Sequence, residues 1–312
     1  MKIIKYRYGN KISTPPCVLA LGFFDGVHLG HRELLRMARR EATERGLSFG
    51  IFTFDSGGGV KPGVVRITDD ERKAEIFDLL GADFTVFADF STVSGLSAEE
   101  FVKHVLIDAL QAEVAVAGFN YRFGKSASAG ADELTLLMRG GSREAIICNE
   151  YDLDGAPVST TRIREALSSG DVKAAGRLLG APYEIKGRVI HGRGVGRLLG
   201  FPTVNTDLPR GSIELKRGVY RTAIPIGDRI YSALTNVGTC PTFDERALHL
   251  ETYVLDFDGN LYDEELRIFF LDFLRDEKRF NSKEELIMQI KVDKNKIIKE
   301  NGDISWQELG LK

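Results

Sequence analysis

The chain has little on which sulfur chemistry or a membrane could depend. Its 312 residues include three cysteines, Cys17, Cys148 and Cys240, far apart and outside any Cys-x-x-Cys spacing. An odd number at that separation argues against a disulfide framework and against a thiolate zinc site, and makes the thiols core side chains. No apolar run approaches the ~18 residues of a membrane span. The start Met1-Lys2-Ile3-Ile4-Lys5-Tyr6 lacks the apolar stretch of a signal peptide, so the expected location is the cytoplasm. Positive charge is not in excess either. A formal net charge of -3 disfavours a general nucleic-acid binder, whose affinity rests on clustered cations. What remains is the composition of a globular enzyme, 43% hydrophobic and 28% charged, with a length that implies about two domains.

The first part alternates strand-like and helix-like segments, the pattern of a parallel sheet covered by helices. Expected strands are Val18–Leu21, Phe49–Phe54, Phe84–Phe87, Val114–Ala117 and Ala145–Cys148. Expected helices are Leu29–Glu44, Asp70–Leu80, Ala98–Leu110, Asp132–Met138, Thr161–Leu167 and Asp171–Leu179. The character changes at Ala181-Pro182, which divides the chain into domains 1–181 and 182–312. Beyond it come alternating apolar residues and hairpin signals over Tyr183–Ile190, Gly218–Ile224, Ile230–Asn236, Leu248–Asp256 and Leu266–Phe273, the pattern of a small antiparallel barrel or sandwich, with a closing helix at Ser282–Lys299.

Within Leu21-Gly22-Phe23-Phe24-Asp25-Gly26-Val27-His28-Leu29-Gly30-His31, two imidazoles and three glycines stand between a buried strand and an amphipathic helix. His28 and His31 lie three apart at the helix start, so both can face one anion. The exposed amides and positive dipole end of a helix N-terminus favour phosphate, and glycine lets a ligand approach the main chain. The segment resembles the signature of the nucleotidyltransferase superfamily, which transfers a nucleoside monophosphate from a triphosphate. Val158-Ser159-Thr160-Thr161-Arg162-Ile163-Arg164 is similar to that superfamily's later hydroxyl-rich motif. The resemblance implies that Thr160 or Thr161 caps a helix and that Arg164 projects towards the triphosphate.

The second domain has a glycine-rich, cation-bearing stretch from Gly187 to Asn205, including Gly192, Gly196 and Arg197 and ending in an exposed Thr203-x-Asn205. Its amides can converge on phosphate, and the Thr203 and Asn205 oxygens suit a hard cation such as Mg2+. Two familiar motifs are excluded. Gly194-x-Gly196-x-x-x-Gly200 has one residue too many for a dinucleotide fingerprint, and Gly118 to Ser126 has five residues where a P-loop has four.

From about Ile12 to Lys299 the chain resembles the bifunctional bacterial riboflavin kinase/FMN adenylyltransferase (FAD synthetase) family. The resemblance rests on Gly22 to His31, Gly118-Phe119-Asn120-Tyr121-Arg122-Phe123-Gly124, Val158 to Arg164, Gly196 to Asn205, Gly218-Val219-Tyr220, Asn236 to Phe243 and Glu251 to Tyr262. It implies an α/β Rossmann-like nucleotidyltransferase domain followed by a small antiparallel β-barrel with a C-terminal helix. Riboflavin, FMN, FAD and ATP are the implied partners, with Mg2+ as cofactor and no obligatory protein partner. By resemblance, Glu251 takes the proton of the riboflavin 5'-hydroxyl, and Thr203 and Asn205 hold Mg2+. His28, His31 and Arg164 neutralise charge during adenylyl transfer. Gly22, Phe23, Gly30, Thr160, Thr161, Gly192, Gly196 and Arg197 bind ATP phosphates, and Asn120 and Phe123 meet the flavin. Two departures stand out. Asp55-Ser56-Gly57-Gly58-Gly59-Val60-Lys61-Pro62 replaces the family's Asp-Pro-His-Pro turn, and an arginine is missing after Phe123-Gly124. Two alternatives therefore stay open: a riboflavin kinase with a weak or repurposed N-terminal half, and a non-catalytic flavin or nucleotide sensor.

Overall fold

Six short runs of apolar residues pair into one parallel sheet, and the direction in which the chain crosses that sheet fixes where a ligand can sit. The computed structural model describes residues 1–56, 65–191, 196, 199–206, 213–239, 248–299 and 304–311. Gly57–Gly59, Gly192, Arg197 and Cys240 lie outside these residues. The chain divides into two compact units, Met1–Thr160 and Thr161–Lys312.

In the first unit, β1 (Lys2–Tyr6), β2 (Cys17–Leu21), β3 (Ser48–Phe54), β4 (Phe84–Ala88), β5 (Ala112–Gly118) and β6 (Glu144–Cys148) are parallel, in the order β1-β4-β3-β2-β5-β6. β2 is buried at all five residues, because helices cover both faces of the sheet. The N-terminal strand β1 is not expected from the pattern. It is an edge strand with only Tyr6 buried, so its alternation is weak. From β2 the chain runs outward through β3 and β4, then returns to β5 on the other side of β2. That reversal opens the crevice where open α/β sheets bind ligands.

Helix α1 (Leu29–Arg45) buries Leu34, Leu35, Ala38 and Ala42 and stops at Gly46, whose φ of 63° no L side chain favours. Helix α2 (Asp70–Leu79) is capped by Asp69, which accepts the Arg72 amide at 2.7 Å. After the short α3 (Phe90–Val93), the expected helix at 98–110 begins as α4 (Ala98–Glu100), with a Ser97–Glu100 capping box. It continues as a π-helix over Phe101–Ala109. It buries Phe101, Val102, Val105, Leu106 and Leu110. Helix α5 (Ala131–Gly140) and a two-stranded hairpin, β7 (Asp152–Leu153) with β8 (Ala156–Pro157), complete the unit.

Helices α6 (Thr160–Ser169) and α7 (Val172–Leu179) lead into the barrel. Thr160 and Thr161 are thus the first two residues of α6 rather than its cap. α7 turns Val172, Ala175, Leu178 and Leu179 inward and packs on β9 (Tyr183–Ile190) and β14 (Glu265–Arg275), so the compact unit begins before the composition break at Ala181-Pro182. With β10 (Thr203–Thr206), β11 (Gly218–Ile226), β12 (Arg229–Thr239) and β13 (Leu248–Val254), these strands close an antiparallel barrel in the order β10-β13-β12-β11-β14-β9. Thr203-x-Asn205 is therefore a barrel strand and not the end of a loop. Inside, fully buried Thr222, Thr235 and Thr252 form a run of hydroxyls with contacts of 2.8 and 2.9 Å. Outside, Ile290 and Ile297 of α8 (Lys283–Lys299) cover Val219, Leu234 and Tyr253.

A fragment covering 161–312 should fold, whereas one covering 182–312 should be less stable by on the order of 5 kcal/mol, since it exposes the apolar surface that α7 covers. Thermal unfolding of the two fragments measures this, and equal melting temperatures would show that α7 adds nothing.

Candidate active sites

In the first unit the turn between β2 and α1 is held in an unusual backbone. Phe24 and Val27, neither of them glycine, have φ of 50° and 38°. Such conformations persist only where the surroundings enforce them, and they cluster at functional sites. Gly22 is required here, because a Cβ on it would lie 2.7 Å from the Phe24 ring. Phe24 in turn stands edge-on between His31, at 5.3 Å, and Phe77 of α2, at 5.7 Å.

His28 occupies the N-cap of α1, and its Nδ1 accepts the His31 amide at 3.3 Å. The ring proton of neutral His28 must then sit on Nε2, which becomes a donor. The two rings stack, with centroids 3.6 Å apart and planes 16° apart. Gly30 leaves room for this, as its Cβ position is already 3.4 Å from the His28 ring. Burial pushes the His28 pKa down to about 4, and burial together with the charges of His28 and Lys73 holds His31 well below its usual value. Both rings are therefore neutral at pH 7. They can donate hydrogen bonds to an anion as neutral imidazoles.

Fixed charge comes from residues not singled out in the sequence. Lys73 of α2 is fully buried and donates to the Phe23 carbonyl at 3.0 Å, an oxygen that Thr53 Oγ1 also reaches at 3.0 Å. Burial lowers the Lys73 pKa to about 8. Arg32, anchored on the Val27 carbonyl at 3.0 Å, is lowered to about 10 by burial and by the neighbouring Arg72 and Arg36. The signal available in the sequence was a lysine one turn from Phe77 on the apolar face of a helix.

After β5, Asn120 and Phe119 are exposed, whereas Phe123 is 6% exposed and packs with Phe101 and Tyr121 in the core. Phe123, expected on the flavin side, packs against the core cluster. Thr160 ends the first unit, and Arg164 lies in the first turns of α6 in the second.

On the barrel, register does what sequence spacing could not. Asn205 of β10 and Asn236 of β12 are both directly opposite Glu251 of β13, so three polar side chains from three strands share one face. Thr203 donates to Glu251 Oε1 at 2.8 Å, and His249 Nε2 contacts Asn205 Oδ1 at 2.6 Å. Asn236 and His249 are additions to the expected set. A Cβ on Gly196 would collide with the Phe201 carbonyl and lie 2.8 Å from Thr203 Oγ1, so that glycine admits the close approach. The row borders a cavity of about 320 Å³, with Leu234, Val219 and Tyr253 on the barrel side and Leu286 and Ile290 on the α8 side. α8 is tied to β14 by Asp293, which takes Arg275 at 2.9 Å and is also held within the helix by Gln289 at 2.8 Å. An apolar slot with a few convergent polar groups at one end is the form of a small-molecule site.

Comparison with known proteins agrees with this division. A family model described as FAD synthetase matches residues 10–162, and one described as riboflavin kinase matches 179–300. A bifunctional riboflavin kinase/FMN adenylyltransferase of Listeria monocytogenes is 38% identical over 88% of this chain and 90% of its own. That of Bacillus subtilis is 34% identical over 90% and 92%, and that of Escherichia coli K12 is 31% identical over 94% and 96%. A crystal structure from Streptococcus pneumoniae, described as a macrolide-efflux protein, superposes with a TM-score of 0.87 at 31% identity, covering 97% of this chain and all of that one. Among the described residues of the present chain, no helix is long and apolar enough to cross a membrane.

The lowered His28 pKa has a consequence for stability. The unfolded chain takes up a proton near pH 6.5, while the folded His28 does so only near 4. Stability is thus full above about 6.5 and falls as pH drops towards 4, by up to about 3 kcal/mol. Denaturant unfolding at stepped pH should show this loss, and His28→Gln should flatten it.

Proposed function

On the premise that this chain belongs to the bifunctional riboflavin kinase/FMN adenylyltransferase family, its barrel unit making FMN from riboflavin and its N-terminal unit making FAD from FMN, we propose how its residues divide the work. The observation that carries the kinase assignment is the Thr203–Glu251 hydrogen bond within the row formed with Asn205 and Asn236. Glu251 has Oε1 engaged by Thr203 and uses Oε2 to accept the proton of the riboflavin 5'-hydroxyl as that oxygen attacks the γ-phosphorus of ATP. ADP leaves. The Thr203 proton points to Glu251, so the Thr203 lone pairs remain for a cation. Asn205 Oδ1 has a second lone pair beyond the one facing His249, so the donor set fits a hard divalent ion. Mg2+ held there supplies charge neutralisation to the ATP phosphates. Gly192, Gly196 and Arg197 belong to the same phosphate-binding stretch, and the apolar slot takes the isoalloxazine ring.

In the N-terminal unit an FMN phosphate oxygen, already ionised, attacks the α-phosphorus of ATP and pyrophosphate leaves, so no general base is required. His28 and His31 donate hydrogen bonds to the phosphates as neutral imidazoles, with Gly22, Phe23 and Gly30 giving main-chain access. Thr160, Thr161 and Arg164 are assigned to ATP by the family resemblance, and Asn120 to the flavin. The functional domains are 1–181 and 182–312, and the enzyme works in the cytoplasm. A kinase with a repurposed N-terminal half and a non-catalytic sensor are not favoured, since the relatives carry both activities in their names.

Incubation with riboflavin, ATP and Mg2+, with FMN and FAD resolved by chromatography, tests the assignment. Glu251→Gln should slow FMN formation by about 10²–10⁴ and leave conversion of FMN to FAD nearly intact. His28→Ala combined with His31→Ala should do the reverse. Loss of both activities in either folded variant would refute separate sites. Gly196→Ala should impair only the kinase, by forcing apart the segment that meets Thr203.

A further inference from the structure

Lys73 is a fully buried ammonium that, among the described residues, no ion pair explains. Its Nζ donates to the Phe23 carbonyl at 3.0 Å and lies 5.1 Å from the centre of the Phe23 ring. That carbonyl is already served by Thr53. Among the described residues no carboxylate forms an ion pair with Nζ; Asp70, Asp25 and Asp69 lie near enough to favour its charge, but burial outweighs them. Asp25 commits Oδ1 to the amides of Ile67 and Thr68, Asp70 faces Ser56 and Arg66, and Arg72 has Glu75. One acceptor leaves two of its three N–H bonds unmatched. A buried cation so poorly compensated costs the fold stability, and a methionine of nearly the same length would fill the space without that cost.

We propose that Lys73 is a positioning residue for adenylyl transfer, a fixed positive charge beneath the Gly22–Phe24 turn that draws the ATP phosphates onto the His28–His31 pair. The proposal rests on the reading of that pair as the ATP-phosphate site. The reaction brings the FMN phosphate and the triphosphate together, and neutral imidazoles offer donors but no charge against that repulsion. A charge embedded in the protein behind them acts through low dielectric, so water and salt screen it little. Lys73 also adds, after burial and His28, to what lowers the hold of His31 on a proton.

The test uses the full chain with Lys73→Met and Lys73→Gln, the second keeping an N–H donor without the charge. Both should lower kcat for FMN adenylylation at least tenfold and leave riboflavin phosphorylation unchanged. The melting temperature of Lys73→Met should be equal to or above that of the parent, which a structural lysine would not give. Adenylylation within twofold of the parent in Lys73→Met would overturn the proposal. So would recovery of the rate in Lys73→Gln, or a joint fall of rate and melting temperature in Lys73→Met. The His28→Ala, His31→Ala double variant separates the two readings: if it still adenylylates FMN, the site itself is misassigned, and if it does not while Lys73→Met does, only the role of Lys73 fails.

Discussion

The acceptance of the His31 amide hydrogen by the His28 ring is the contact around which the first unit is organised. It starts α1, fixes which nitrogen of His28 carries the proton and brings the two rings into stack. The surroundings then hold the chain in that position. Phe24 sits in a left-handed conformation, Gly22 makes way for its ring, and the chain reverses its direction across the sheet between β2 and β5. The strained residues lie beside the stacked imidazoles at the N-terminus of α1.

Burial and function pull in opposite directions at this point. Taking the rings and Lys73 out of water lowers the affinity of each for a proton and weakens the fold towards acid. The same removal of water makes each donor and charge act more strongly on a bound phosphate. The barrel site is built differently. Its groups are half-buried, aligned by strand register, and need no strained backbone; α8 supplies the dry wall.

Much of this was legible in the sequence, for reasons that can be named. The buried strands read well because a parallel sheet covered on both faces must be apolar throughout. β1 was invisible because an edge strand buries one residue, and the π-helix read as an ordinary one because both patterns place apolar residues about four apart. The histidine pair was found because helix start, glycines and imidazoles are contiguous. Asn236 and His249 were not, since they join Asn205 and Glu251 only through cross-strand pairing.

The three threonines inside the barrel bear on the kinase site although none touches it. Each hydroxyl has one hydrogen and sits in a line with the next, so the row must run in one direction or the other, and it survives only if all three side chains point inward. Were β12 to slip by one residue against β13, Thr235 would turn outward, its neighbours would lose their partners in a dry interior, and Asn236 would be driven inside. The interior thus acts as a key for the alignment of the outer surface, and the placing of Asn236 beside Glu251 is decided on the opposite, inward side of the sheet.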